Sequence, residues 1–182
     1  MTLTALRHRY APVSIALHWG MVLLIAAVYG CMLLRENFPR GSSLRQGLQT
    51  WHFMLGLTVL LLVAIRIVAR LMIAPPPITP QPPAWQNLLA KVTHLALYAF
   101  MVLMPIAGWM ILSASGKTIP FFGLELPALI GQHKGLAGQI KEVHETVATI
   151  GYFLIGLHAI AALFHHYVAK DDTLRRMLPG KM

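Results

Sequence analysis

His144-Glu145-Thr146-Val147-Ala148-Thr149-Ile150-Gly151-Tyr152-Phe153-Leu154-Ile155-Gly156-Leu157-His158-Ala159 is the stretch that decides how this chain is read. It lies in an apolar run over residues 143–169, long enough as a helix to cross a hydrocarbon layer of about 30 Å. Its two histidines are 14 residues apart. On a helix that is about 21 Å of rise and about 40° short of four full turns. His144 and His158 therefore face the same way at two depths, one near each membrane surface. Gly151 lies midway on that face, where a missing side chain admits something bulky.

Three similar runs precede it, over residues 12–34, 50–73 and 87–112. Of the 182 residues, 57% are apolar and 12% charged. The charged share is about half that of a soluble domain, which excludes disorder and an ordinary water-soluble globule. Backbone groups in lipid must be satisfied within the chain, and four runs cannot close a barrel. The fold class is therefore an all-α membrane protein, a four-transmembrane-helix bundle forming one domain over residues 1–182. Pro12 suits a first helical turn, and Ser42 or Ser43 offers an earlier N-cap for the second helix. Residues 74–84 read as an extended polyproline-type spacer. Within 113–141, the pieces 121–124 and 126–130 read as interfacial rather than spanning.

The net charge is +9. Its cations cluster between the apolar runs, so they read as topology signals and contacts to anionic lipid, not as a nucleic-acid surface. Four spans put both termini and the 74–86 linker on one side. That side holds Arg7, Arg9, Arg66, Arg70, Lys91, Lys170, Arg175, Arg176 and Lys181. The other holds Arg35, Arg40, Arg45, Lys117, Lys134 and Lys141. The excess of basic residues expects cytoplasmic termini in a multi-pass membrane protein. The first run is too long for a usual signal peptide and is kept as a helix. Cys31 is the one cysteine and reads as a small packed hydrophobe.

Nine histidines are many for so apolar a chain. His18, His52, His94, His144 and His158 fall inside or at the mouths of the spans, where ionisable groups are costly and functional by default. His52 enters the second run from the outer side, as His144 enters the fourth. His18 opens the first run from the inner side, and His158 lies in the inner half of the fourth. Two His–His pairs stacked in one bundle suit two haem irons with both axial positions filled. No Cys-x-x-Cys-His is present, so the haems would be b-type, held without covalent attachment. A zinc or di-iron site wants ligands at one depth and usually carboxylates or thiolates, and the acids nearest the spans are Glu142 and Glu145.

The other candidates rank lower. His94 is an alternative to His18 opposite His158, or a partner for a haem propionate. His165 and His166 sit near the inner end of the fourth run; His165, seven residues after His158, is a reserve ligand or a headgroup-level residue, while His8 and His133 read as solvated. Arg66 and Arg70 end the second run, where they snorkel to headgroups or pair with propionates in a fork. Trp19, Trp51, Trp85 and Tyr167 read as interface anchors.

Taken together, His18-Trp19, His52, the 144–159 block, His165-His166-Tyr167 and Lys170-Asp171-Asp172-Thr173-Leu174 resemble the bacterial cytochrome b561 family. The likeness covers nearly the whole chain and is most specific in the fourth span. It implies a four-helix, di-haem electron carrier of the inner membrane. By position, His18 and His158 would hold the inner haem, and His52 and His144 the outer one. It also implies ubiquinone as a partner and superoxide oxidation at the periplasmic face as an activity. The outer cations would then steer the anion.

Two other readings compete. One keeps the haems but makes the chain a membrane subunit, relaying electrons between quinone and a periplasmic dehydrogenase or hydrogenase. The other is a haem-free small transporter or assembly factor, disfavoured by the lack of intramembrane carboxylates.

Overall fold

A computed structural model describes residues 9–179. Arg7, His8 and Lys181 lie outside the described residues. Four helices carry the fold: α1 (Pro12–Arg35), α2 (Ser43–Met72), α3 (Ala84–Ala114) and α4 (Lys134–Phe164). Each is long and apolar enough to cross a membrane.

The helix starts follow local chemistry. Pro12 sits in the first turn of α1, where its missing N–H costs nothing. The Ser42 hydroxyl accepts the Arg45 amide at 3.3 Å and starts α2 seven residues before the apolar run does. His133 is exposed, as expected, and also caps α4: its Nδ1 accepts the Leu136 amide at 3.0 Å. The first turns of α4 thus project beyond the apolar run. α3 continues unbroken through Pro105.

α1 packs on α2, α2 on α3, and α3 on α4. α4 meets α1 through side chains: the Tyr29 hydroxyl donates to the Ala148 carbonyl at 2.7 Å. The buried core lies mid-bundle, around Met21, Val59, Val63 and Met101. Many large apolar side chains on the helices face outward, including Leu23, Leu71, Leu95 and Phe153, as a bundle solvated by lipid requires.

The α3–α4 connection forms a small hairpin, β1 (Ile119–Phe121) against β2 (Leu124–Leu126). Phe122 and Gly123 take the two left-handed positions of its turn, with φ of 48° and 86°. The hairpin rests on the end of α2, where the Phe122 and Trp51 rings lie 6.1 Å apart. Ile119 is buried with Leu57 and Leu112.

At the opposite end the C-terminal segment folds back as a clasp. Beyond α4 the chain makes a π-helical turn over His165–Ala169 and reverses at Lys170. Asp171 is buried; its carboxylate takes the His165 Nδ1 at 2.5 Å and the Thr173 amide at 2.9 Å. Asp172 pairs with the proline-rich spacer, accepting the Thr79 amide and donating its own to the Thr79 carbonyl. Arg176, also buried, binds the Asp172 carboxylate at 3.2 Å and the Pro76 carbonyl. The Trp19 indole donates to the Met177 carbonyl, which makes it a fastening of this clasp.

Candidate functional site

The bundle brings histidines together at two levels. Toward the hairpin end, His52 of α2 faces His144 of α4, with ring centres 6.4 Å apart and planes at 76°. The Nδ1–H of His52 donates to the Val28 carbonyl at 3.0 Å, which leaves its Nε2 lone pair free. The Nδ1 of His144 is buried and finds no partner among the described residues. Gly108 of α3 lies flat against this ring: a Cβ there would sit 3.7 Å from His144 Cε1. A cavity of about 740 Å³ opens beside the pair, walled by Tyr29, Phe53, Met104 and Tyr152.

The mouth of this cavity is charged. Arg35, Lys117, Lys134 and Lys141 line it, with Glu36 and Glu145. Two of these cations are already paired: Arg35 lies 3.5 Å from Glu36, and Lys141 2.6 Å from Glu145. Arg45 does not line the cavity. It braces the α1–α2 turn through the Arg35 and Phe38 carbonyls and both Glu36 oxygens.

Toward the clasp end three imidazoles meet. His18 of α1 and His158 of α4 have ring centres 6.2 Å apart at 70°. His94 of α3 lies nearer to His158, at 5.5 Å and 74°. The Nδ1 of His94 is engaged with the Ala90 carbonyl at 2.7 Å. Arg66 reaches this level from α2. It donates through Nη2 to His18 Nδ1 at 3.2 Å and through Nε to the Tyr98 hydroxyl at 3.3 Å, and its buried Nη1 has no partner among the described residues. A buried guanidinium donor left over at a histidine cluster matches a carboxylate such as a haem propionate. Arg70 is placed elsewhere, over the Tyr10 ring at 5.9 Å. His165 is committed to Asp171.

The separations can be set against iron chemistry. Two imidazoles that both bound one iron, each through a bond of about 2 Å, would have ring centres roughly 6 Å apart. His52–His144 and His18–His158 both sit at that spacing, and His94–His158 is too close. The residues present would therefore suit two b haems, one at each level. One adjustment is needed at the clasp end. An imidazole that accepts at Nδ1 keeps its proton on Nε2, so ligation by His18 through Nε2 requires Arg66 to release it.

Tyr29, Phe100 and Tyr98 are not singled out by the sequence reading, and Asp171 enters it only within the 170–174 block that carries the family resemblance. Tyr29 and Tyr98 carried one usable signal, a polar-tipped ring inside an apolar run, which needs a partner when buried. Phe100 carried none.

A lipid-embedded four-helix bundle with imidazoles paired at two levels, and no cysteine pair to tether a porphyrin, defines a class: the membrane-bound b-type cytochromes. Residues 9–180 match the family model described as Prokaryotic cytochrome b561, and the chain belongs to that family. Cytochrome b561 homolog 1 of Escherichia coli K12 is 40% identical over 174 residues, 96% of this chain and 99% of that protein. A Yersinia pestis protein named probable superoxide oxidase CybB is 38% identical over 95% of this chain and 97% of its own length. Cytochrome b561 homolog 2 of Escherichia coli K12 is 29% identical over 98% of this chain and 95% of that protein. Family membership makes the chain a haem-dependent electron carrier of a prokaryotic membrane and displaces the haem-free transporter reading.

Proposed function

We propose that the chain carries electrons from the periplasmic face to ubiquinone through two b haems, one between His52 and His144 and one between His18 and His158. The observation that carries the reading is the pair of ring separations, 6.4 and 6.2 Å, on one face of one helix. When bound, the haems supply reversible one-electron chemistry at two depths. The chain does the rest. The His52 Nδ1–H bond to Val28 fixes the ring's tautomer and raises its basicity as a ligand. Arg66 offers its spare Nη1 to a propionate at the clasp-end level.

Cytoplasmic termini follow from the charge count, so the hairpin end faces the periplasm. The donor we favour there is superoxide. The named relative motivates it, and so does the cavity mouth, whose Lys117 and Lys134 are exposed cations that draw an anion inward. Two superoxide anions each give up one electron and leave as dioxygen. One quinone takes both electrons with two protons.

A pyridine haemochrome assay on the purified protein tests the reading. Two b haems per chain are expected, with one lost on each of His52→Ala, His144→Ala, His18→Ala and His158→Ala. One haem per chain, or a stoichiometry that follows His94 rather than His18, overturns the assignment. Quinone reduction by superoxide without added protein tests the donor; activity that requires a co-purifying dehydrogenase or hydrogenase supports the membrane-subunit reading instead.

A further inference from the structure

Between the two histidine levels the bundle is closed by aromatic rings, and the closure is centred on Gly151. This glycine is seven residues from both His144 and His158. A Cβ built on it would lie 2.5 Å from the Tyr29 hydroxyl oxygen and 2.6 and 2.7 Å from Cζ and Cε2 of Phe100. Real side chains do not approach that closely, so any larger residue displaces both rings. α3 gives the same level independently. Phe100 lies between His94, which meets the clasp-end histidines, and Gly108, which lies against His144. Tyr29 also contacts the Tyr152 ring, with centres 4.3 Å apart.

We propose that Tyr29 and Phe100, seated on Gly151, form the layer through which single electrons pass between the two haems. The inference rests on the haem assignment above. In the step, one electron leaves the reduced iron at one level and arrives at the oxidised iron at the other. No bond forms or breaks and no proton moves. The Tyr29 hydroxyl is bound to the Ala148 carbonyl, which cannot take a proton, so the residue acts through its ring. Packed matter couples two centres better than a gap does, and a void forfeits the contacts along its lining. The glycine is what lets two rings from different helices fill the centre of the bundle together.

The test uses the holoprotein with one electron delivered per chain by a photoexcited soluble reductant. Samples are freeze-quenched, and the two low-spin ferric haem signals are read by electron paramagnetic resonance. Phe100→Leu is expected to keep both haems with unchanged ligand-field signals and to slow equilibration between them several-fold. Phe100→Tyr, which keeps a ring, is expected to hold the wild-type rate. Tyr29→Leu and Tyr29→Phe form a second pair with the same expectation, and they decide the matter if Phe100→Leu sheds a haem. Equal rates for leucine and ring variants overturn the inference and leave the haem assignment standing. Loss of a haem from both leucine variants also overturns it, by making the layer a scaffold. Absence of two low-spin haems from the wild type overturns the assignment and the inference together.

Discussion

Replacing His144 with alanine separates the haem role proposed for this residue from its packing role. The ring is part of the cavity wall, and its Nδ1 makes no hydrogen bond within the described residues. Truncation therefore leaves no protein partner unsatisfied. The stability cost is limited to lost packing, roughly 1–2 kcal/mol, within the ordinary range for a single substitution. On the proposed assignment the haem cost would be stoichiometric: content is expected to fall from two to one per chain, because His52 would be left as the only ligand of that haem. The cavity of about 740 Å³ reaches the surface past Lys117 and Lys134, so free imidazole can enter. His144→Ala is thus expected to fold, to keep the low-spin spectrum of the clasp-end haem, and to regain the second haem when millimolar imidazole is supplied during reconstitution. His158→Ala lies beside two other imidazoles and a guanidinium, so its rescue is expected to be weaker. Two low-spin haems in His144→Ala without imidazole would refute the reasoning. So would loss of both haems from a chain whose helical content is unchanged.

Further outcomes follow from the same contacts. Lys117→Gln with Lys134→Gln is expected to cut the rate with superoxide about tenfold at low ionic strength and to flatten its salt dependence, while Arg40→Gln, outside the cavity lining, leaves both unchanged in stopped-flow traces. Arg66→Gln removes the buried cation beside His18 and is expected to lower the midpoint potential of the clasp-end haem alone, read in a spectroelectrochemical titration. Burial alone would raise the Asp171 carboxyl, but the Thr173 amide and His165 outweigh it and hold it below its ordinary value of 3.8. A depressed carboxylate contributes its stability above that value and loses it as pH falls through the lower, folded one. Limited proteolysis of the C-terminal segment is therefore expected to stay slow down to about pH 4 in the native chain and to speed up only below it. Asp171→Asn is expected to be cut readily even at neutral pH.

The helices and the two histidine levels were legible because both rest on one-dimensional quantities. Apolar length reports a span, and a spacing of 14 on a helix reports depth and face. The depth match of His52 to His144, and of His18 to His158, needed only the direction in which each span runs. What stayed hidden depends on side-chain reach across helices. Arg66 and Arg70 are one turn apart and look alike in sequence, yet one enters the histidine cluster and the other covers Tyr10. His133 and His165 look like surface residues until a helix start and a buried aspartate supply their partners. The six outer cations look equivalent until Glu36 and Glu145 claim three of them. In sequence Gly151 makes room for something bulky; the structure fills that room with rings from α1 and α3.

The uneven placement of charge at the two levels has a consequence for direction. The hairpin-end level has its cations at a wet mouth, two of the four paired with glutamates, where solvent and salt screen them. The clasp-end level has a guanidinium within the bundle, beside the His18 ring that it would release on haem binding. A cation in a poorly screened interior stabilises added negative charge more than one at a wet surface does. On the proposed haem assignment, an electron arriving at the hairpin end would therefore find a more favourable site at the clasp-end level, on the side where the termini lie. The same asymmetry predicts that Arg66→Gln slows net transfer toward the clasp end while sparing the first reduction at the cavity. A single-turnover experiment with superoxide distinguishes these steps. If the first phase slows and the second does not, the cation does not set direction, and the potentials must be set by ligation and burial alone.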